Sequence, residues 1–271
     1  MMSKLSRRQL QRIRHFFREK EERAKGEAAK FDHRAAPGPG GGRESVVRIM
    51  AENVDQMAIV VSFVSPPLKT GLIDRFLVIA GVERVDPLII FNKTDLLEDR
   101  GAGEETAALY RSLGYAVLLT STASGEGVEL LADFLRGRVS MLAGHSGVGK
   151  SSLLNALQAG VTDRVEVKEV SAATGKGRHT TTSVRLYRLG KDTTVFDLPG
   201  LKLASLYNIE PWEIQSQFPE FAAVSRLCRF DDCLHLEEPD CAVKRGLEEG
   251  TVDRGRYESY LRMVRSPLAE L

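Results

Sequence analysis

A phosphate-binding loop lies past the middle of this chain of 271 residues. Residues 144–151 read GHSGVGKS and match the pattern GxxxxGK(S/T), between the apolar run VSMLAG and the helix-forming segment KSSLLNALQAG. In such a loop the glycines let successive backbone N–H groups converge on phosphate oxygens, and the following helix presents the positive end of its dipole. The motif predicts a strand, a loop and a helix that together bind a nucleoside phosphate.

The polar side chains of this loop have separate expected roles. Lys150 is expected to reach the outer phosphates, and it is a catalytic candidate because phosphoryl transfer depends on charge neutralisation. The Ser151 hydroxyl is expected to ligate Mg²⁺. His145 has no evident chemical duty in the loop. The residues expected to contact the nucleotide here are Gly144, His145, Ser146, Gly147, Val148, Gly149, Lys150, Ser151 and Ser152.

A second motif, Asn92-Lys93-Thr94-Asp95, follows the apolar run PLIIF and matches NKxD. The Asp95 carboxylate can accept hydrogen bonds from N1–H and the 2-amino group of guanine, and adenine offers neither donor. Asn92 can approach the acceptor edge of the ring, and the stem of Lys93 can lie over its face. A site built for those donors disfavours the wrong base because its buried carboxylate would stay unpaired. With the phosphate-binding loop, the motif predicts a guanine nucleotide site.

A third segment, Ser121-Thr122-Ala123, also follows an apolar run. Ser121 and Thr122 are expected to contribute the loop whose backbone N–H groups contact the guanine oxygen. The base-recognising segments therefore precede the phosphate-binding loop, which is the reverse of the Ras-like order. The early part of the chain is interpreted as the second half of the nucleotide-binding domain, moved to the front.

Residues 165–183 form a polar, glycine-containing segment that ends in three threonines before a predicted strand. Such a segment can be ordered by a γ-phosphate and Mg²⁺ and released on hydrolysis. Thr181 is the preferred candidate for the hydroxyl that contacts Mg²⁺, with Thr180 and Thr182 as alternatives.

The run DLPG, residues 197–200, completes the set of nucleotide motifs. Asp197 is expected to hold a water of Mg²⁺, and the Gly200 N–H is expected to meet the γ-phosphate. Leu201 stands where Ras-type enzymes carry the glutamine that orients water. Slow intrinsic turnover follows from the lack of that group.

All three cysteines of the chain cluster near its end, as Cys228-x4-Cys233-x-His235-x5-Cys241. Three thiolates and one imidazole complete a tetrahedral shell that leaves no position for a substrate. The cluster predicts one structural zinc ion, whose binding would add folding free energy to a small unit with few large apolar residues. Unpaired buried thiols are the simpler alternative.

Short apolar runs alternate with helix-period segments from about Met57 to Gly160. The alternation predicts an α/β fold with a mostly parallel sheet and helices on both faces. SVRLYRLG and TTVFDLPG, joined by a turn-like GKD, predict a hairpin, and beyond Gly200 a small, mainly helical unit is expected.

The order NKTD, STA, GHSGVGKS, GRHTTT and DLPG is that of a circularly permuted GTPase. With the Cys/His cluster and the stretches ENVDQMAIV, IDRFLV and SGVGKSSLLNAL, it closely resembles the RsgA (YjeQ) family of ribosome-associated GTPases, from about Met50 to Leu271. The resemblance implies a circularly permuted P-loop GTPase domain that is stimulated by the small ribosomal subunit and acts late in the maturation of that subunit. It also suggests that His179 takes part in hydrolysis, although a plain loop histidine is the alternative.

The first 43 residues hold 12 Lys and Arg against 5 Asp and Glu, whereas the whole chain is nearly balanced, with 38 against 37. A basic leading arm suggests an RNA partner through phosphate neutralisation, and a solvated helix is the alternative. The longest apolar runs have about eight residues, far below the roughly twenty needed to span a bilayer, and no apolar signal core follows the N-terminus. We expect a cytoplasmic monomer without membrane contact.

Three regions are expected: a basic helical extension with a Gly/Pro linker (1–45), the permuted GTPase domain (46–205) and the zinc-binding unit (206–271). Family members carry a β-barrel OB domain before the GTPase domain, but what precedes Met57 contains no convincing run of strands. Ribosome docking would then depend on the basic helix and the zinc unit, and a partner different from that of the family is the alternative. Two other functions are possible from the sequence: a GTP-regulated RNA-binding module with negligible hydrolysis, and an ATPase or small-molecule kinase, for which NKTD would have no role.

Overall fold

A seven-stranded sheet forms the framework of the molecule, which we describe from a computed structural model covering residues 54–159, 168–171, 183–190, 192–197 and 209–265. The sheet has the order β3-β2-β1-β4-β7-β6-β5. Its strands are β1 (Gln56–Ser62), β2 (Asp86–Asn92), β3 (Ala116–Leu119), β4 (Val139–Ala143), β5 (Lys168–Ser171), β6 (Ser183–Arg188) and β7 (Thr194–Asp197).

The described helices follow the alternation that the sequence predicts. Four of them connect the first strands: α1 (Thr70–Val82), α2 (Arg100–Ser112), α3 (Val128–Leu135) and α4 (Lys150–Ala159). Four more lie in the C-terminal part: α5 (Pro211–Ser216), α6 (Pro219–Val224), α7 (Ala242–Glu249) and α8 (Arg254–Arg265). Single 3₁₀ turns occupy Thr94–Leu96 and Ser225–Leu227.

The central strand β1 explains why helices cover both faces of the sheet. All seven of its residues are buried, and because side chains alternate along a strand, they feed two cores. Met57, Ile59 and Val61 pack into the core that α1 and α2 cover. Ala58 and Val60 pack into the opposite core, which α3 and α4 cover. The predicted two-sided α/β layering is confirmed.

Five strands, from β3 across to β7, run parallel and bring their carboxyl ends to one edge of the sheet. In register, Ser62 lies beside Asn92, Phe91 beside Leu119, and Leu142 beside Asp197. Loops that leave parallel strands at their carboxyl ends form the usual ligand-binding side of an open α/β sheet. The NKTD segment and the phosphate-binding loop leave the sheet at this edge.

The antiparallel end of the sheet differs in one respect from the sequence prediction. β6 and β7 form the predicted hairpin, with Arg185 opposite Asp197. β5, which pairs antiparallel with β6, lies inside the polar segment 165–183, where the sequence predicts no strand. Its sequence, KEVS, is short and mostly polar, so no apolar run marks it as a strand.

The C-terminal helices continue the core on the α1 side of the sheet. α8 and α5 pack against α1, and Ile214, Phe218 and Phe221 share one apolar cluster with Ile73 and Phe76. The predicted extension (1–45) and the predicted boundary at residues 205 and 206 lie outside the described residues. Among the helices that the structure describes, none combines the length and the apolar character that crossing a lipid bilayer requires.

Candidate functional site

The phosphate-binding loop requires glycine at two positions, where the backbone has a positive φ and no space for a side chain. Gly144 has φ +145° and Gly149 has φ +95°. A Cβ atom on Gly144 would lie 2.1 Å from the carbonyl oxygen of Val60, and one on Gly149 would lie 2.4 Å from Nδ2 of Asn92. The loop is therefore pressed against β1 on one side and against the NKTD segment on the other.

Lys150 begins α4 and folds back into this loop. Its Nζ donates hydrogen bonds to the carbonyl oxygens of Gly144, at 2.8 Å, and His145, at 3.0 Å. The side chain is buried, and burial lowers the pKa of Lys150 while the charge of Asp197 opposes that shift. The ammonium group thus lies in a pocket of low polarity, where a negatively charged ligand would stabilise it.

Asp197, at the carboxyl end of β7, is a carboxylate whose burial is only partly offset by nearby positive charges. Its Oδ1 is buried and has no hydrogen-bond partner among the described residues. Burial raises the pKa of the Asp197 carboxyl, against the attraction of Lys150 and Arg185. A cation or a water held by one would satisfy this oxygen, and the exposed Ser151 at the start of α4 offers a hydroxyl of the kind that Mg²⁺ accepts. These residues fit the predicted Mg²⁺ site.

Asn92 joins the base-recognising segment to the phosphate-binding loop. It is fully buried at the end of β2, and its Nδ2 donates to the carbonyl oxygen of Val148 at 2.9 Å. Its Oδ1 accepts from the Thr120 hydroxyl at 3.0 Å. Both halves of its amide are therefore used within the protein, so Asn92 organises the pocket as well as bordering it.

Lys93 makes a second connection between the same two segments. Its backbone is left-handed, with φ +61°, which turns the side chain out of the strand direction. Its Nζ donates to the carbonyl oxygens of Gly147, at 2.6 Å, and Ser65, at 2.8 Å. NKTD and the phosphate-binding loop, 54 residues apart in sequence at this contact, thus form one continuous surface.

Asp95 is exposed at the rim of that surface and lies beside the third predicted segment. The Ser121 hydroxyl donates to Asp95 Oδ1 at 2.5 Å, and the same hydroxyl oxygen accepts from the backbone N–H groups of Ala123 and Ser124, at 3.2 Å each. Thr122, in the same turn, is half-buried. The structure therefore brings NKTD and the Ser121 loop together, as the sequence predicts.

Two residues at this junction were not predicted from the sequence. Thr120 bonds Asn92 from the end of β3, and Glu126 accepts a hydrogen bond from the Thr94 hydroxyl at 2.7 Å. Thr120 directly precedes the predicted Ser121 segment, and Glu126 stands between Gly125 and Gly127 in a turn. A polar residue between two glycines indicates a turn, so the sequence marks Glu126 as a turn residue. Its partner Thr94 lies in another segment and cannot be identified from the local sequence.

Several predicted site residues lie outside the described residues. They are His179, Thr180, Thr181, Thr182, Gly200 and Leu201. Their predicted roles in contacting Mg²⁺, the γ-phosphate and the attacking water stay predictions.

The predicted metal ligands converge at the other functional centre. The ligand atoms of Cys228, Cys233, His235 and Cys241 all lie within 4.8 Å of one another. His235 Nδ1 lies 3.4 Å from Cys241 Sγ and 3.7 Å from Cys228 Sγ. Tetrahedral zinc, with bonds of about 2.3 Å to sulfur and 2.0 Å to nitrogen, places such atoms about 3.5 Å apart. The four residues therefore fit a closed zinc site.

The cluster is held from outside by the last helix. The hydroxyl groups of Tyr257 and Tyr260, on α8, donate to the carbonyl oxygens of His235, at 2.7 Å, and Leu234, at 2.5 Å. Glu238 accepts from the backbone N–H groups of Leu234 and Leu236, at 2.8 and 2.6 Å. These bonds hold the backbone of the ligand-bearing turn in place. Bonds of this kind around a metal site orient its ligands.

Arg256 connects α8 to the helices α1 and α6. Its guanidinium is 2% exposed and donates to Asp74 on α1, at 2.6 Å, and to Glu220 on α6, at 2.8 and 3.2 Å. Tyr110 also donates to Asp74, and the guanidinium lies 4.4 Å from the Phe218 ring centre. Although burial opposes its charge, the two carboxylates hold the pKa of Arg256 above its ordinary value. The part that carries the Cys/His cluster is thus joined to α1 by a buried ionic cluster.

The chain is similar to known proteins in sequence and in fold. The sequence profile of the RsgA GTPase family matches residues 42–207. The small ribosomal subunit biogenesis GTPase RsgA of Flavobacterium johnsoniae is 39% identical over 220 residues, which cover 80% of this chain and 67% of that protein. YjeQ from Thermotoga maritima has a similar crystal structure, with a TM-score of 0.66 and 35% identity over 81% of this chain and 73% of that one. YloQ, a circularly permuted GTPase, gives a TM-score of 0.61 and 33% identity over 81% and 71% of the two chains.

Proposed function

The chain belongs to the RsgA GTPase family, and on that basis we propose that it binds GTP and hydrolyses it to GDP and phosphate during maturation of the small ribosomal subunit. The family resemblance and the permuted α/β fold predicted from the sequence are thereby confirmed. The hydrogen bond between Asn92 and the carbonyl of Val148 is the observation that most directly supports a single nucleotide pocket. It joins the segment that selects the base to the loop that binds phosphates.

Selection of guanine rests on the Asp95 carboxylate in this proposal. Asp95 is exposed at the rim of the pocket, and Ser121 holds one of its oxygens in place. A fixed carboxylate accepts hydrogen bonds from N1–H and the 2-amino group of guanine, whereas adenine would leave it unpaired. An ATPase or a small-molecule kinase would give these residues no comparable role.

The phosphate side of the pocket supplies charge stabilisation. The buried Lys150 ammonium neutralises the outer phosphates. Ser151 and Thr181 would ligate Mg²⁺ and Asp197 would hold one of its waters, and the bound ion would supply charge stabilisation to the phosphoryl group. The Gly200 N–H is the proposed contact of the γ-phosphate, and His179 is the proposed residue that orients water. Leu201 replaces the usual glutamine, so hydrolysis by the isolated protein is slow.

The Cys228–Cys241 turn is proposed to hold one structural zinc ion. Three thiolates and an imidazole leave no open coordination position, so the ion takes no part in hydrolysis. The tyrosines of α8 hold the same turn, so the ion and the helix stabilise each other.

The proposed partner is the small ribosomal subunit, contacted through its rRNA, in the cytoplasm. The charge balance of the first 43 residues supports this, because an excess of Lys and Arg there suits a phosphate backbone. Binding to the subunit is expected to weaken with rising salt, since released counterions drive such contacts.

Measuring GTP turnover with and without isolated small ribosomal subunits tests the proposal. We expect slow turnover by the protein alone and a large increase when subunits are added, with no comparable increase for ATP. The Lys150→Ala variant is the control, because turnover that survives this substitution comes from contaminating enzymes. Equal turnover with and without subunits would contradict the proposed activation, and absence of GTP binding would contradict the proposed activity.

A further inference from the structure

Glu126 occupies a junction that the proposed chemistry does not use. It lies in the turn between β3 and α3, and its side chain is 22% exposed. Its carboxylate accepts one hydrogen bond from the Thr94 hydroxyl, at 2.7 Å, and two from the Arg100 guanidinium, at 3.1 and 2.9 Å. One carboxylate therefore holds donors from two other segments of the chain.

Thr94 is the member of NKTD that faces away from the nucleotide pocket. It is 2% exposed, and its backbone N–H donates to the carbonyl of Thr120 at 3.2 Å. Its hydroxyl lies 2.7 Å from Glu126 Oε2, the shorter contact, and 3.2 Å from the same Thr120 carbonyl oxygen. Its neighbours Lys93 and Asp95 have their contacts at the phosphate-binding loop and at Ser121. Thr94 thus connects the base-recognising turn to the Glu126 turn.

Arg100 orients the carboxylate more than it stabilises the fold. Its side chain is 65% exposed, so the ion pair itself contributes little stability. Its two nitrogens contact both carboxylate oxygens, which fixes the plane of the carboxylate and aims Oε2 at Thr94.

The backbone of the Glu126 turn is linked to Asp95 through Ser121. The Ser121 N–H donates to the carbonyl of Glu126 at 2.9 Å, and the Ser121 hydroxyl donates to Asp95. Gly127 has φ +69°, and a Cβ atom there would lie 2.1 Å from the carbonyl of Leu119. The turn is therefore packed against the end of β3. Glu126 contacts Thr94, which precedes Asp95 in sequence, through its side chain, and it contacts Ser121, the partner of Asp95, through its backbone.

We propose that Glu126 is a positioning residue for guanine recognition, which it serves by holding Thr94 and the Ser121 turn in the register that aims Asp95 at the base. The inference rests on the proposed function, because it presumes a guanine nucleotide at Asp95. It assigns to this glutamate a share in base selectivity although it lies outside NKTD.

The ratio of affinities for GDP and IDP tests this role, because IDP lacks only the 2-amino group that Asp95 binds. For Glu126→Ala we expect weaker GDP binding, by about tenfold or more, and a smaller preference for GDP over IDP. Loss of folded protein alone would lower both affinities equally and leave the ratio unchanged. Thr94→Val should reduce the ratio in the same direction, Thr94→Ser should preserve it, and the double variant Thr94→Val/Glu126→Ala should be no less selective than Glu126→Ala.

Glu129→Ala is the matched control, since Glu129 is an exposed glutamate three positions further along the chain. A Glu126→Ala variant with the GDP/IDP ratio of Glu129→Ala would overturn the inference, and so would a Thr94→Val variant with the unaltered ratio. If the unaltered protein bound no GDP at all, the proposed function would fail, and with it the inference that rests on it.

Discussion

The side-chain amide of Asn92 lies 2.9 Å from the carbonyl oxygen of Val148, although 56 residues separate them in sequence. The contact is short because β2 and β4 flank β1 in a parallel sheet, so the loops at their carboxyl ends face each other across one strand. The order of the motifs along the chain is therefore immaterial to the pocket, since the sheet brings them together in either order. A permuted chain can retain the chemistry of an unpermuted one.

Replacing Asn92 with alanine should weaken binding of GDP and GTP alike. The substitution removes the bond to Val148 and leaves that buried carbonyl and the Thr120 hydroxyl without a partner. Unpaired buried groups cost about 1–3 kcal/mol each in the folded protein, so its free energy of unfolding should fall. Nucleotide affinity, measured by calorimetry, should fall as well, because the phosphate-binding loop loses its connection to the NKTD segment. Asn155→Ala, at an exposed position on α4, is the control. Unchanged GDP affinity in Asn92→Ala would contradict the organising role of this side chain.

Changing Asp95 to asparagine should exchange the preferred base. An amide in place of one carboxylate oxygen presents a donor, which suits the 2-oxo group of xanthine and opposes the 2-amino group of guanine. We expect the Asp95→Asn variant to bind xanthosine diphosphate more tightly than GDP, as measured by competition with a fluorescent nucleotide. A variant that still prefers GDP would place guanine recognition elsewhere.

The nucleotide motifs and the metal ligands are predictable from the sequence because each is contiguous or nearly so. GHSGVGKS, NKTD and the Cys/His cluster each carry their chemistry within about fifteen residues of chain, where residue type and spacing are informative. The alternation of apolar runs and helix-period segments likewise predicts the strands and helices in order.

The connections between these parts are not predictable in the same way. Arg256 bonds Glu220 and Asp74, which lie 36 and 182 residues away in sequence. An arginine in the segment RGRYESYLRMVR looks like any other charge on a helix surface, and an aspartate in α1 looks solvent-exposed. Only the packing of α8 on α1 makes both buried.

Removing the Arg256 charge should destabilise the whole described fold. In Arg256→Met, Asp74 keeps its burial but loses its cation, and breaking one side of a buried ion pair costs about 3–5 kcal/mol. The melting temperature should fall by roughly 6–20 °C for a chain of this size. Tyr110→Phe, which removes one hydrogen bond to Asp74, should cost less, about 1–3 kcal/mol.

Arg254→Met provides the comparison for this experiment, because Arg254 is exposed on the same helix. Its melting temperature should stay close to that of the unaltered protein. Equal effects of the two arginine substitutions would mean that the buried cluster contributes nothing beyond the packing of the arginine stem.

Removing the metal should destabilise the C-terminal part without changing the nucleotide contacts themselves. We expect about one zinc per chain by elemental analysis of the purified protein, and loss of that zinc in Cys233→Ser, because a closed tetrahedral site needs all four ligands. Burial, with a further contribution from the neighbouring thiols, raises the pKa of the Cys233 thiol to about 12. Because zinc binds the thiolate form of cysteine, zinc binding at this residue should release its proton. Tyr260→Phe should retain the zinc while lowering the melting temperature, since it removes only the bond to Leu234. Full zinc occupancy in Cys233→Ser, or an unchanged melting temperature after chelation of the unaltered protein, would contradict a structural zinc site.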